Sequence, residues 1–353
     1  MNLRTDAFMA VLDRCRNATT AEIGGPTICS GWPGLLFVQQ CLEQTAGASV
    51  LDLRQAAVRW RSLDAPEPDV PVEVRGSFLY GTRGRRWAER RLSGVDGKDF
   101  APPARALGFD TFANDGPVYL ASDSPDPPGW ADFIHQEFLH FERGRKSGRA
   151  LPLGFAHGVA GLLFRALLLN EPSPVEGDRV RRGLDWLAGL RTEDDGCARW
   201  PVREGQPVHH SWVASSLCSG SVGHALVYLE AAIRLDCDAY LDIAQKALAA
   251  SADESEMNLG FCCGHAGRAM VVSRFLRSGI RPRATEAEDT LLRLWARVPS
   301  RLAHDMLRPL SGLPSCLPAL HAEEPSSRAL DLFLPPPLRP REPPSPPYPK
   351  RSS

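Results

Sequence analysis

Apolar residues recur at intervals of three and four, with charges between them, over residues 130–143, 178–190, 238–252 and 284–298. That period predicts amphipathic helices, each turning one face to a core. A different kind of run alternates with them. Residues 161–169, Gly-Leu-Leu-Phe-Arg-Ala-Leu-Leu-Leu, are apolar almost all round, as a helix buried on every side should be. A further helix is expected over residues 5–16, and strand signals are few and short.

The apolar runs are entered through a recurring turn. Gly31-x-x-Gly34, Gly158-x-x-Gly161, Gly220-x-x-Gly223 and Gly264-x-x-Gly267 each lead into one, Gly81-x-x-Gly84 leads into a polar-faced helix around residues 87–92, and Gly312 marks a last turn. A degenerate turn lies at residues 109–117, where Asn114 stands in for the first glycine; asparagine also tolerates positive φ. Seven such turns, roughly 35–60 residues apart, match the length of one helical hairpin plus loops. The expected fold is therefore all-α: an (α/α) toroid of about seven hairpins, with the Gly-x-x-Gly turns at the inner-helix N-termini. Those N-termini would crowd one end of the ring, where backbone N–H groups and positive helix ends face a shared cavity. Residues 1–334 form this domain. Residues 335–353 are rich in proline and read as an extended or disordered tail, a solvated terminus sooner than a ligand for a polyproline-reading module.

Bulk composition narrows the partners. The chain has 353 residues, 43% of them hydrophobic, enough for a large core. Its net charge of −1 lacks the basic footprint that nucleic acid or an anionic membrane would leave. The first dozen residues carry Arg4 and Asp6 without a signal-peptide core, and no run reaches the ~18 apolar residues of a membrane span. A cytoplasmic protein is expected. Its nine cysteines, odd in number and not spaced as a disulfide framework, should be reduced thiols.

Three of them stand at equivalent points of the repeat. Cys218 opens the Gly220 turn, and Cys262 and Cys263 open the Gly264 turn. Neighbouring cysteines rarely reach disulfide geometry, but both can point at one metal ion. Three thiolates with an open fourth position describe a catalytic zinc site, and packing alone does not explain their equivalent placement. His157 holds the corresponding place before Gly158. Cys29 opens the first turn and is a lesser candidate for a fourth, sealing ligand. His265 reads as structural, and His209-His210 as a loop.

With Ala156-His157-Gly158, Leu217-Cys218-Ser219-Gly220 and Cys262-Cys263-Gly264 in this order, the chain resembles the lanthionine synthetase C-like (LanC-type) cyclases, from about residue 29 to residue 334. The resemblance implies a toroid of seven helical hairpins around one zinc ion. It also implies closure of thioether rings in a dehydrated precursor peptide. Cys218 and Cys262 match the family's zinc cysteines; Cys263 falls where most members have a histidine, as in the three-cysteine variant of the site. His157 matches the active-site histidine, and Asp110 falls where an acidic residue lies close to it. The usual Trp-Cys-Tyr-Gly is replaced here by Leu217-Cys218-Ser219-Gly220. No dehydratase is attached, so the substrate is expected from a separate one.

The implied chemistry follows from elementary arguments. Three thiolates on Zn2+ leave a charge of about −1, and a substrate thiolate in the fourth position makes it about −2, which enriches the sulfurs in electrons. Addition to the β-carbon of a dehydro residue needs a proton at the α-carbon. His157 suits that task, with Asp110 fixing its tautomer. The alternatives are a zinc- and thiol-binding adaptor, taking glutathione or peptide cysteines, and a purely structural zinc toroid. A glycoside-processing toroid would want paired carboxylates instead.

Overall fold

The computed structural model describes residues 82–93, 130–168, 174–208, 216–250 and 259–281, together with helical pieces within 9–14 and 33–38 and at Val58. In chain order the elements are α1 (Thr82–Leu92), α2 (Trp130–Lys146), α3 (Val159–Leu167), α4 (Pro174–Gly189), β1 (Thr192–Asp194), β2 (Cys197–Arg199), α5 (Ser221–Leu235), α6 (Asp238–Ala249) and α7 (His265–Arg277). The expected helices at 130–143, 178–190 and 238–252 are α2, α4 and α6. Those at 5–16 and 284–298, the turns near Gly81, Asn114 and Gly312, and the proline-rich tail lie outside the described residues in whole or in part.

Two kinds of helix alternate. Every residue of α3 is buried, as are the first 12 residues of α5. By contrast α2 and α4 expose charges on one face: Asp132, Arg143 and Lys146 on the first, Arg181, Arg182 and Asp185 on the second. Inner helix α5 lies between inner helices α3 and α7, while α2 and α4 pack on α3 and α6 packs on α5. This is an inner layer wrapped by an outer one. The core runs through it from Phe138 on α2, through Leu163, Phe164 and Leu226, to Val272 and Phe275 on α7. Each such side chain contributes roughly 1.5–3 kcal/mol of burial.

Aromatic groups with polar tips lock the layers. Tyr228 of α5 donates to the Leu184 carbonyl of α4 at 2.8 Å, and Tyr240 of α6 donates to Asp185 at 2.7 Å. An ion pair joins two inner helices: the buried Glu230 of α5 accepts from Arg274 Nε of α7 at 2.5 Å and from Arg234 Nε at 3.2 Å. Strands β1 and β2 form a short antiparallel hairpin, in register Thr192↔Arg199 to Asp194↔Cys197. Asp195 and Gly196, with φ of 49° and 74°, close it. Two left-handed residues are what a tight hairpin turn demands.

Gly158, Gly220 and Gly264 are the N-caps of α3, α5 and α7, and all three are extended, with φ of −163°, −114° and −141°. Positive φ is not their reason. Space is: a Cβ on Gly223 would run into the Leu217 carbonyl oxygen, and one on Gly267 into that of Phe261. In these two frames the second glycine lets the helix sit directly on the turn that precedes it.

Candidate metal centre

Three turns meet at the N-terminal ends of the inner helices, and main-chain bonds join them. Cys218 N–H donates to the Cys262 carbonyl at 3.0 Å, and Ala156 N–H donates to the Cys218 carbonyl at 2.8 Å. The Cys218 turn is thus the middle of three. Gly154 permits the close approach on one side, since a Cβ there would lie 2.7 Å from the Cys218 oxygen and 2.9 Å from Ser219 Cα.

The sulfurs of Cys218, Cys262 and Cys263 all lie within 4.8 Å of one another, those of Cys218 and Cys263 at 3.0 Å. Zinc–sulfur bonds of about 2.3 Å at tetrahedral angles put sulfurs about 3.8 Å apart, so this donor set fits one Zn2+ after small adjustments. Among the described residues these three are the one such group of potential ligands. Cys218 is buried; Cys262 and Cys263 are half-buried, which leaves the cluster an open side.

The electrostatics favour a first thiolate at Cys218. Hydrogen bonds from Cys262 and Cys263, and then from the Ser216 and Ser219 side chains, hold its thiol well below the ordinary range despite burial. Cys262 moves the other way. Its hydrogen bonds to Cys218 and Cys263, together with burial, push it well above that range, because a second negative charge beside the first is costly. Ser216, which the sequence reading passed over, lies with its Oγ 3.4 Å from the Cys218 sulfur and accepts from Ser219 N–H at 3.2 Å. Ser219, a departure from the resembled motif, therefore belongs to the support of Cys218. A Ser-x-Cys-Ser-Gly run at a helix entrance was the available signal.

His157 is half-buried on the turn next to Ala156, directly before N-cap Gly158. The bond from Ala156 to Cys218 ties its turn to the cysteine turn. Asp110, Cys29, His209 and His210 lie outside the described residues. His265 is buried as the first residue of α7. A second histidine, His224 of α5, is also fully buried. Its Nδ1 donates to the Gly220 carbonyl at 2.9 Å, and its ring is stacked on Trp200, whose Nε1 donates to Leu187 of α4 at 2.8 Å. This chain of contacts braces the far side of the Cys218 turn.

Buried inner helices whose N-termini carry a thiol cluster, wrapped by amphipathic outer helices, define the class: an α/α toroid with cysteines at its inner-helix ends. The solved structure of a protein titled nisin cyclase has this fold. It aligns with a TM-score of 0.58 over 94% of this chain and 96% of that one, at 15% identity. Residues 134–290 match the family model described as lanthionine synthetase C-like protein, a span holding His157 and all three cysteines. Residues 134–290 thus carry a lanthionine synthetase C-like domain. No curated protein sequence matches it. Among the described residues no helix is long and apolar enough to cross a membrane.

Proposed function

We propose that the protein is a zinc-dependent peptide cyclase, which forms lanthionine or methyllanthionine rings by adding a cysteine thiol to a dehydroalanine or dehydrobutyrine of a dehydrated precursor peptide. The observation that carries this reading is the convergence of the Cys218, Cys262 and Cys263 sulfurs within 4.8 Å, with a half-buried side, on turns bonded to that of His157. Three thiolates would hold Zn2+, which when bound supplies Lewis-acid chemistry and favours the thiolate form of a substrate cysteine.

The chain's own residues do the rest. Sulfur attack on the β-carbon forms one C–S bond and moves the π electrons toward the carbonyl. His157 delivers a proton to the α-carbon, and the thiol proton is released, so the peptide's mass is unchanged while one free thiol disappears. Asp110 is assigned to accept from the other imidazole nitrogen and hold the tautomer. Ser216 and Ser219 keep Cys218 ionised. The peptide would come from a separate dehydratase, in the cytoplasm.

The test is an incubation of zinc-loaded protein with a dehydrated, cysteine-containing precursor, followed by thiol counting and mass analysis. Loss of thiols at constant mass, abolished by Cys218→Ala, is expected. A protein that binds zinc yet leaves every thiol untouched is instead an adaptor, and one that binds no zinc refutes both.

A further inference from the structure

The rim of this end of the molecule carries a concentration of positive charge that the site chemistry does not use. Helix α2 ends in a turn closed by Gly148, φ +68°, with Gly148 N–H on the Arg145 carbonyl and Arg149 N–H on the Gly144 carbonyl, both at 3.2 Å. This left-handed glycine cap folds the chain back on the helix end. It therefore gathers Arg143, Arg145, Lys146 and Arg149. Arg203 joins them from the neighbouring segment, donating from Nη2 to the Ala150 carbonyl at 3.2 Å. All five side chains are exposed. Four residues further along, Leu153 and then the Ala156–His157 turn lead to Cys218, so the cations lie on the connection that builds the candidate centre.

Among the described residues no carboxylate forms an ion pair with them. Other charged side chains do pair: Arg191 and Lys246 share Glu193, and Arg85 takes Glu89. Glu142, the acidic residue within this turn of α2, is held by Arg179 of α4 instead, at 3.6 Å. The C-terminal dipole of α2 offsets about half an elementary charge. Five cations exceed that several-fold, in a chain whose total is −1. Arg145 is held in place by aromatic faces, its guanidinium 4.9 Å from the Trp186 ring and 5.7 Å from that of Phe141. The remaining charges point to solvent and repel one another unless an anion covers them.

We infer that this basic rim is a docking surface for an acidic segment of the peptide substrate, carrying several Asp or Glu residues and held apart from the reacting cysteine. The inference rests on the peptide-substrate reading above. A peptide is favoured over nucleic acid because the patch is a single turn wide and the whole chain is slightly acidic, whereas a duplex needs a basic face. Holding one part of a substrate at the rim raises the effective concentration of its reactive part at the centre.

The probe is a fluorescein-labelled octaglutamate peptide, its binding followed by anisotropy on the full chain with and without zinc. Binding should occur in both states and weaken steeply from about 50 mM to about 500 mM salt. Arg143→Glu/Lys146→Glu should weaken it at least about tenfold, while Arg86→Glu/Arg90→Glu on α1, with the same change in net charge, should alter it less than about twofold. The milder Arg143→Gln/Lys146→Gln pair, checked for an unchanged circular dichroism spectrum, covers loss of fold in the reversal variant. Equal losses in both reversal pairs, no salt-dependent binding, or tighter binding of a DNA duplex of similar charge would each overturn the inference. None of these readouts depends on cyclisation, so a failed cyclase assay leaves the docking result standing, and the reverse.

Discussion

The His224 imidazole lies flat on the Trp200 indole, with ring planes 2° apart and centroids 4.3 Å apart. Sealed between that ring and the Gly220 carbonyl, His224 is neutral. Burial, opposed by the hydrogen bond to the Gly220 carbonyl and by the influence of the Leu153 carbonyl, lowers its pKa from 6.5 to about 4. Since this histidine also bonds the turn that carries Cys218, its protonation bears on both the fold and the site.

The sign of the pH effect follows. Between about pH 6.5 and about pH 4 the unfolded chain holds a proton on this residue and the folded chain does not, so stability falls as pH drops. The contribution is complete above about pH 6.5 and declines by about 1.4 kcal/mol per pH unit below it, reaching roughly 3 kcal/mol near pH 4. Urea midpoints at pH 7 and pH 4.5 measure it. His224→Gln should remove this component of the pH slope; a variant as acid-sensitive as the wild type would show that the histidine is not buried neutral.

Two glycine substitutions should have opposite effects. Gly267→Ala drives a methyl group into the Phe261 carbonyl, and the resulting backbone shift should cost about 2 kcal/mol or more. It should also weaken zinc binding, because the displaced segment includes Cys262 and Cys263. On α4, nothing lies within 4 Å of a Cβ at Gly177. Gly177→Ala should stabilise by up to about 1 kcal/mol and leave zinc binding unchanged. Thermal melts and a competitive zinc titration report both effects.

Ser216→Ala should make the metal-free Cys218 less acidic, since one of the groups that hold its pKa down is lost. The pH midpoint for alkylation of Cys218 by iodoacetamide, read by peptide mapping, should move up. Cys262 should be the slower of the two to react near neutrality in the wild type, since its thiol is held in the protonated form. Preferential labelling of Cys262 would reverse the assignment.

His157→Ala should slow ring formation by roughly 10²–10⁴-fold while leaving zinc content at the wild-type level. A fall in metal content of the same size would make the residue a ligand. An unchanged rate would assign the proton to another group.

Removing the buried carboxylate should be severe. Glu230→Ala withdraws the acceptor that Arg274 Nε faces at 2.5 Å in the interior, and a loss of about 3–5 kcal/mol is expected from denaturant unfolding. Replacing Arg274 as well, in Glu230→Leu/Arg274→Met, should recover much of it.

Helix positions were readable because burial writes its period into the sequence: charges at 178, 181, 182 and 185 mark the outer face of α4, and their absence from Val159 to Phe164 marks an inner helix. The three cysteines stood out through their equivalence within the repeat. The hairpin at Thr192–Arg199 did not, since its strands have three residues each and those of β1 are all exposed, leaving no alternation to see. Asp195-Gly196 was its one legible sign. The glycine frames were legible as a repeat, but the contacts that require them were not: Gly223 and Gly267 answer to carbonyl oxygens on the preceding turn, a contact that exists only once the helix is seated. Ser216 and His224 were missed on similar grounds, because their roles depend on neighbours across the fold.

The bond from Cys218 N–H to the Cys262 carbonyl has a consequence for how the centre is assembled. A main-chain bond joins two segments more than forty residues apart. The donor atoms are gathered in advance, so loading costs little ordering, and a chelator should strip the cation without melting the helices that surround it. Exchange of a bound ion should then be a local event, faster than unfolding and reversible on readdition.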